Sequence, residues 1–387
     1  MPQRRPTRRI AVITGSRAEF GLLVPVLRAL RRTRGLRTDL IVTGMHLLRR
    51  FGRTVDEIRE AGWPIAATVR MQHEQHTARD EAAALARGIS GIARALDACR
   101  SDVVLVLGDR LEALAGGCAA IASRRVLAHI HGGDRAPGDI DEPIRNALTR
   151  MAHVHFAASA DAARRLRASG EEPWRIHLVG APGLDAVREI ISKPGVPARV
   201  RRLLGDVSDR PYAVVVQHPI GRSETAERRT AEAILRAVRS TGLGVVAIYP
   251  NTDPGHAGIV AAIEKAACNE DTRVFRSLPR EDYLKVVSRA ALLIGNTSSG
   301  IIESATLGVP AVNVGPRQDG RLRCGPNVID VGESAEAITR GIRTALRRPR
   351  PRISRSVYGD GRAGERIASI LAKLKIDERL RRKGLTI

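Results

Sequence analysis

Residues Leu293–Pro310 read LIGNTSSGIIESATLGVP. A short apolar strand runs into a Gly-Asn-Thr-Ser-Ser-Gly turn, and a helix follows with one acid a turn in. Ser298 and Ser299, with their backbone N–H groups, start that helix and form an anion cradle that the helix dipole reinforces. Glu303 lies one turn further on, where it can accept hydrogen bonds from a diol such as a pair of ribose hydroxyls. The Ser-x-x-x-Glu spacing misses the capping box by one residue, so a structural cap explains the serines but not the acid. The stretch fits a nucleoside diphosphate.

The same strand–turn–helix grammar recurs along all 387 residues. The runs RIAVIT, TDLIVT, WPIAATV, DVVLVLGD, RVLAHIHG, VHFAAS and RIHLVG alternate with helical periods. A second series follows: YAVVVQHP, LGVVAIYP, TRVFRS, ALLIGN, VPAVNVG and NVIDVG. Strands without polar alternation, separated by helices, indicate parallel sheets covered on both faces. The fold class is α/β, with two Rossmann-like doubly wound domains and a cleft between them. Expected boundaries are 1–185 for the first domain, 186–210 for a Pro- and Gly-containing linker, and 211–357 for the second domain. A C-terminal segment, 358–387, is expected to pack back on the first domain.

Ligands of open α/β sheets bind beyond the carboxyl ends of the strands, so the chemistry is sought there. In VITGSRAEFGLL the strand ends at Thr14 and a helix is expected near Gly21; Arg17, in the turn, suits phosphate. The spacing is not Gly-x-Gly-x-x-Gly, so no dinucleotide fingerprint is present. Asp109 follows a buried strand and is either a helix N-cap or a general acid or base. His129 and His131 alternate onto one strand face and precede Asp134, Asp139, Asp141 and Glu142. That group suits acid/base chemistry better than a metal, because close ligand spacing is lacking. His153 and His155 read as plain strand residues. His218, after the first strand of the second series, could meet phosphate as an imidazolium. Asn251 and Asp253 sit in a turn that turn chemistry alone explains. Arg317 and Arg321 occupy a loop after a later strand.

Composition narrows the classes. Net charge is +23 and only 3% of residues are aromatic. The arginines are spread over many helices and base-stacking platforms are scarce, so the charge reads as solvated surface, with individual arginines used in motifs. Cys99, Cys118, Cys268 and Cys324 are scattered without a Cys-x-x-Cys pair, which argues against a disulfide framework or zinc ribbon. No apolar run reaches the roughly 18 residues of a membrane span, and the basic N-terminus lacks a secretory apolar stretch. The expectation is a cytoplasmic protein with no membrane and no nucleic-acid partner.

Six motifs occur in a familiar order: TGSRAEFGLL, VTGMH, VLGDRLEALA, AHIHGGD with DIDEPIRNALTRMAHVHF, QHP, and IGNTSSGIIE with GVPAVNVGPRQDGR. Together the chain resembles the hydrolysing UDP-N-acetylglucosamine 2-epimerases of the sialic-acid pathway, over nearly its whole length. The resemblance implies the GT-B fold and the reaction of UDP-N-acetylglucosamine with water to give UDP and N-acetylmannosamine. It implies acid/base roles for Asp109 and Asp141, with His131 and Asp134 at positions where relatives carry histidine or glutamate. It implies UDP contacts for Arg17, His218, Ser298, Ser299, Glu303 and Arg317, and Asn251 is added to that group. It further implies no cofactor, no metal and a homo-oligomer, dimer or tetramer. Asn146, Thr297 and Pro316 depart from the family pattern without removing an acid/base group. Three alternatives stand beside this reading. One is a related epimerase acting on a UDP-diacetamido-trideoxy sugar. The others are a GT-B glycosyltransferase and a basic nucleic-acid-binding protein.

Overall fold

The computed structural model describes residues 7–73, 80–135, 140–193, 195, 197–251, 253–350 and 356–386. All thirteen expected strands are present. Seven form one sheet: β1 (Arg8–Thr14), β2 (Leu36–Thr43), β3 (Ile65–Val69), β4 (Val103–Leu107), β5 (Val126–Ile130), β6 (Val154–Ala157) and β7 (Ile176–Leu178). Six form another: β8 (Tyr212–Val216), β9 (Gly244–Ile248), β10 (Thr272–Phe275), β11 (Leu292–Gly295), β12 (Ala311–Val314) and β13 (Val328–Val331). Every pairing is parallel. The strand orders are β3-β2-β1-β4-β5-β6-β7 and β10-β9-β8-β11-β12-β13, so both sheets reverse their winding beside their first strand.

The inner strands are apolar on both faces because each face meets helices, while the edge strands β3, β10 and β13 are only partly covered. In the first sheet Ile10, Val12, Val103 and Leu105 pack towards the helix Arg17–Arg32 and the C-terminal helix Ala363–Lys373, through Leu23, Leu27, Ile367 and Leu371. Their neighbours Ala11, Ile13, Val104 and Val106 turn to the other face, against the helices Glu81–Cys99 and Leu111–Ala122. The period of two thus serves two cores, not a core and solvent. In the second sheet Val215 and Val245 meet the helices Glu224–Arg239 and His256–Ala266, while Val214 and Val246 face a separate core.

The chain divides into two compact units. Unit 1 comprises 1–134, 140–185 and 361–387, and unit 2 comprises 135–139 and 186–360. Residues 186–210 are therefore not a separate linker. Val200 and Leu204, from the helix Ala198–Leu204, and Val207 are buried in a unit 2 core with Tyr212, Val214 and Val216. The return to unit 1 comes at Gly361, not 358, since the Tyr358 hydroxyl donates to the Leu322 carbonyl within unit 2. In unit 1 the Asp185 carboxylate accepts from the N–H groups of Ala363 and Gly364 at 2.9 and 2.8 Å, satisfying the first turn of the C-terminal helix.

Asp185→Ala removes both of these bonds and should cost about 1–2 kcal/mol. Thermal unfolding of unit 1 should begin about 2–8 °C lower, as read by calorimetry. An unchanged trace would mean the helix Ala363–Lys373 does not depend on that carboxylate.

Candidate functional site

In unit 1 the carboxyl edge at β1, β4 and β5 carries Arg17, Asp109 and His131. The Gly108 N–H donates to the Ile130 carbonyl at 3.0 Å, and the Gly108 carbonyl accepts from His129 Nε2 at 2.7 Å. Burial holds the His129 imidazole down at about 3, so the ring is neutral and its proton is committed to that carbonyl. Asp109 follows. It is not the N-cap of the next helix, because Arg110 occupies that place. The Asp109 carboxylate instead accepts from the guanidinium of Arg145.

Arg145 lies on the buried face of the helix Asp141–Met151 with Ile144, Leu148 and Thr149, and is 1% exposed. The same guanidinium donates to Glu142 and, at 3.0 Å, to the Asp134 carbonyl. β5 ends at Ile130, so His131 does not share a strand face with His129. It steps out at φ 69°, a left-handed conformation that is strained for a residue with a side chain. His131 Nδ1 lies 2.8 Å from Asp134 Oδ2. In the neutral tautomer with Nδ1–H donating to that carboxylate, Nε2 is the nitrogen with the lone pair. Asp141 is the first residue of the helix that carries Arg145.

Arg17 is placed differently from the expectation. The helix starts at Arg17 itself, capped by Ser16, whose hydroxyl accepts from Glu19 N–H. The Arg17 guanidinium pairs with Glu57. Beneath this turn lie two buried acids. Glu19 accepts from Gly15 N–H at 2.8 Å, and the Glu112 side chain fills the space under Gly15, where any Cβ would come within 2.4 Å of it. Burial pushes the Glu19 carboxyl up to about 8 against the Gly15 hydrogen bond, with Glu112 adding to the rise and Arg110 opposing it.

In unit 2 the corresponding edge at β8, β9 and β11 is laced by Asn296. Its side-chain oxygen accepts from His218 N–H at 2.7 Å and its amide donates to the His218 carbonyl at 2.8 Å. Its own carbonyl accepts from Gln318 Nε2 at 2.8 Å and from Arg317 at 3.4 Å. β11 can approach β8 this closely only because Gly295, at φ 127°, has no side chain; a Cβ would sit 2.0 Å from the Val216 carbonyl. His218 Nδ1 accepts from Asn251 N–H at 3.1 Å. That bond requires an unprotonated Nδ1, so His218 presents a neutral ring with Nε2–H as its donor, not the expected imidazolium.

The opening stretch is not one helix. It forms Ser299–Ile302 and Ser304–Leu307, hinged at Glu303. Ser298 caps without a side-chain bond. The Ser299 hydroxyl donates to Glu303 at 2.6 Å, and Arg280 pairs with the other carboxylate oxygen. A structural account therefore covers the acid as well as the serines. Arg145, Asn296, Arg280 and Gln318 are absent from the sequence-selected set. Only Arg145 carries a signal, a charged residue on the apolar stripe of an amphipathic helix. Among the described residues no cluster of three metal-ligating side chains occurs, and no helix is long and apolar enough to cross a membrane.

A family model described as UDP-N-acetylglucosamine 2-epimerase matches residues 28–372. The UDP-N,N'-diacetylbacillosamine 2-epimerase (hydrolyzing) of Legionella pneumophila is 33% identical, over 97% of this chain and 98% of its own. The UDP-N-acetylglucosamine 2-epimerase of Neisseria meningitidis is 32% identical over 81% of each chain. Among solved structures, the Methanocaldococcus jannaschii UDP-GlcNAc 2-epimerase in complex with UDP-GlcNAc and UDP has a TM-score of 0.79 at 20% identity, covering 95% of this chain and all of that one. The shared fold is GT-B.

The buried Glu19 gives a pH test. The folded chain keeps a proton on Glu19 that the unfolded chain releases above the ordinary glutamate value of 4.5. Stability contributed at low pH is therefore lost as pH rises through about 8. Glu19→Gln should abolish that loss. Relative to the parent, the variant should gain on the order of a few kcal/mol between pH 5 and pH 8, read from urea unfolding. A difference that stays constant over this range would show that Glu19 is ionised in the folded chain.

Proposed function

The chain belongs to the UDP-N-acetylglucosamine 2-epimerase family, and we propose that it hydrolyses a UDP-2-acetamido sugar with inversion at C2. The first substrate proposed is UDP-N-acetylglucosamine, giving UDP and N-acetylmannosamine for nonulosonic (sialic) acid synthesis. What supports this most directly is the grouping of Asp109 with the His131–Asp134 pair around one buried guanidinium, which provides two separate proton-handling groups.

The chemistry needs two such groups. The C2–H bond is not acidic in the resting sugar. As the C1–O bond to UDP stretches, positive charge develops at C1 and the neighbouring hydrogen becomes removable. A base takes it, the C1=C2 bond forms and UDP departs, leaving a glycal. Water then adds at C1 while C2 receives a proton on the opposite face. The net change is one water consumed and no change in oxidation state, so no nicotinamide is required. Inversion needs proton transfer on both faces, by Asp109 and Asp141 or by His131, whose tautomer Asp134 fixes. UDP departure is assisted by donors to the pyrophosphate. These are His218 Nε2–H, Ser298, the Ser299 backbone N–H, Arg17 and Arg317, with Asn251 shaping the turn. Glu303, held by Arg280 and Ser299, keeps carboxylate lone pairs for the ribose hydroxyls.

A second substrate is favoured by a specific observation. The Legionella relative, similar over 97% of this chain, is named for a diacetamido sugar. A UDP-2,4-diacetamido-2,4,6-trideoxyglucose would use the same C1 and C2 chemistry and differ only at the outer carbons.

Incubation with each sugar nucleotide in heavy water should release UDP and leave one deuterium at C2 of the free manno-configured sugar. The larger kcat/KM identifies the substrate. UDP release without deuterium would instead indicate simple hydrolysis or transfer, as in a GT-B glycosyltransferase. In the same assay Asp109→Asn should lower kcat by about 100- to 10,000-fold while UDP affinity stays within a few-fold. Normal turnover would remove Asp109 from the chemistry.

A further inference from the structure

We infer that Arg145 is the positioning residue of the proton-transfer machinery: one buried guanidinium fixes both the Asp109 turn and the turn ending at Asp134. The inference rests on the epimerase reading of this site. Burying an arginine side chain costs several kcal/mol unless its donors and its charge are met. Among the described residues two arginines, Arg145 and Arg175, are fully buried, and they are used differently. Arg175 donates to the carbonyls of His153, Arg379, Leu380 and Arg382, and so ties the C-terminal segment into unit 1. Arg145 spends its fork at the carboxyl edge of the sheet, on the carboxylates of Asp109 and Glu142 and on the Asp134 carbonyl.

The Asp109 side chain remains 22% exposed, so the guanidinium holds it from the inside while it reaches solvent. The Asp134 carbonyl belongs to the residue whose carboxylate orients His131. One planar group thus sets the separation between the Asp109 carboxylate and the His131–Asp134 pair. A guanidinium stays protonated throughout the working pH range, so the Arg145 side of this hold does not titrate. Proton transfer is sensitive to such spacing, since a displacement of about 1 Å can cost roughly 100-fold in rate. Lysine keeps the charge but not the fork, and cannot bridge both turns with fixed geometry.

The test compares Arg145→Lys and Arg145→Met with the parent, as full chains. Two readouts are needed. The first is kcat, KM and calorimetric UDP affinity. The second, free of substrate, is hydrogen exchange at residues 108–110 and 131–135. The expected result for Arg145→Lys is a fall in kcat of about 100-fold with KM and UDP affinity within about threefold. Exchange should accelerate in both turns while β4 and β5 stay protected. If Arg145→Met does not fold, Arg145→Lys decides. An unchanged kcat, or exchange that rises evenly across unit 1, overturns the inference. A parent that turns over neither sugar nucleotide sinks the epimerase reading instead, and the exchange data then decide the hold by Arg145 on their own.

Discussion

Each sheet winds outward from its first strand, then reverses beside it, between β1 and β4 in one unit and between β8 and β11 in the other. The rest of the molecule follows from that constraint. At a reversal the loops leaving adjacent strands diverge to opposite faces of the sheet, so the carboxyl edge opens just there. Backbone groups beyond the last ladder bond also need new partners at that point. In unit 1 the Gly108 carbonyl finds His129, and in unit 2 both backbone groups of His218 find the amide of Asn296. Meeting that need brings residues distant in sequence into contact at the place where a ligand can enter.

Charge is used sparingly despite its abundance. Lys and Arg outnumber Asp and Glu by 64 to 41, yet several arginines that order the strand-end loops are met by carboxylates. Arg280 pairs with Glu303, and Arg145 with Asp109 and Glu142. Arg222 pairs with Glu333 and with the fully buried Glu227, which also accepts from Ile220 N–H in the loop after His218. A partly buried pair with shared hydrogen bonds fixes geometry where an exposed pair contributes little. The excess arginines lie on solvated helix faces such as Arg340, Arg343 and Arg347, and have no part in the strand-end loops.

The fold was legible because a strand buried on both faces must be apolar throughout, and none of the thirteen runs needed tertiary information to be recognised. The positions of Asp109, His218 and Ser298 were legible as strand ends. Their partners were not. Arg145 meets Asp109 across 36 residues and Asn296 meets His218 across 78, distances over which no local pattern operates. The hinge at Glu303 was hidden for a related reason. Ser299 and Glu303 read as a failed capping box, whereas Arg280, from another helix, completes their arrangement. Residues 186–210 looked like a linker because prolines, glycines and polar residues punctuate the stretch, while Val200, Leu204 and Val207 reach a core.

His129 and His131 show how little sequence separation decides chemistry. They are two residues apart in HIHGGD, and an unbroken strand would point both to one face. The strand stops between them. His129 stays in the ladder, fully buried and neutral, with its proton committed to Gly108. His131 crosses into a left-handed conformation that costs of order 1–3 kcal/mol for a residue with a Cβ. Such strain persists only where surrounding contacts impose it. Here they are the bond from His131 N–H to the Phe156 carbonyl, the Asp134 carboxylate on the ring, and Arg145 on the Asp134 backbone. The same contacts that hold the strain aim the imidazole, so the ring's direction is set before any substrate arrives.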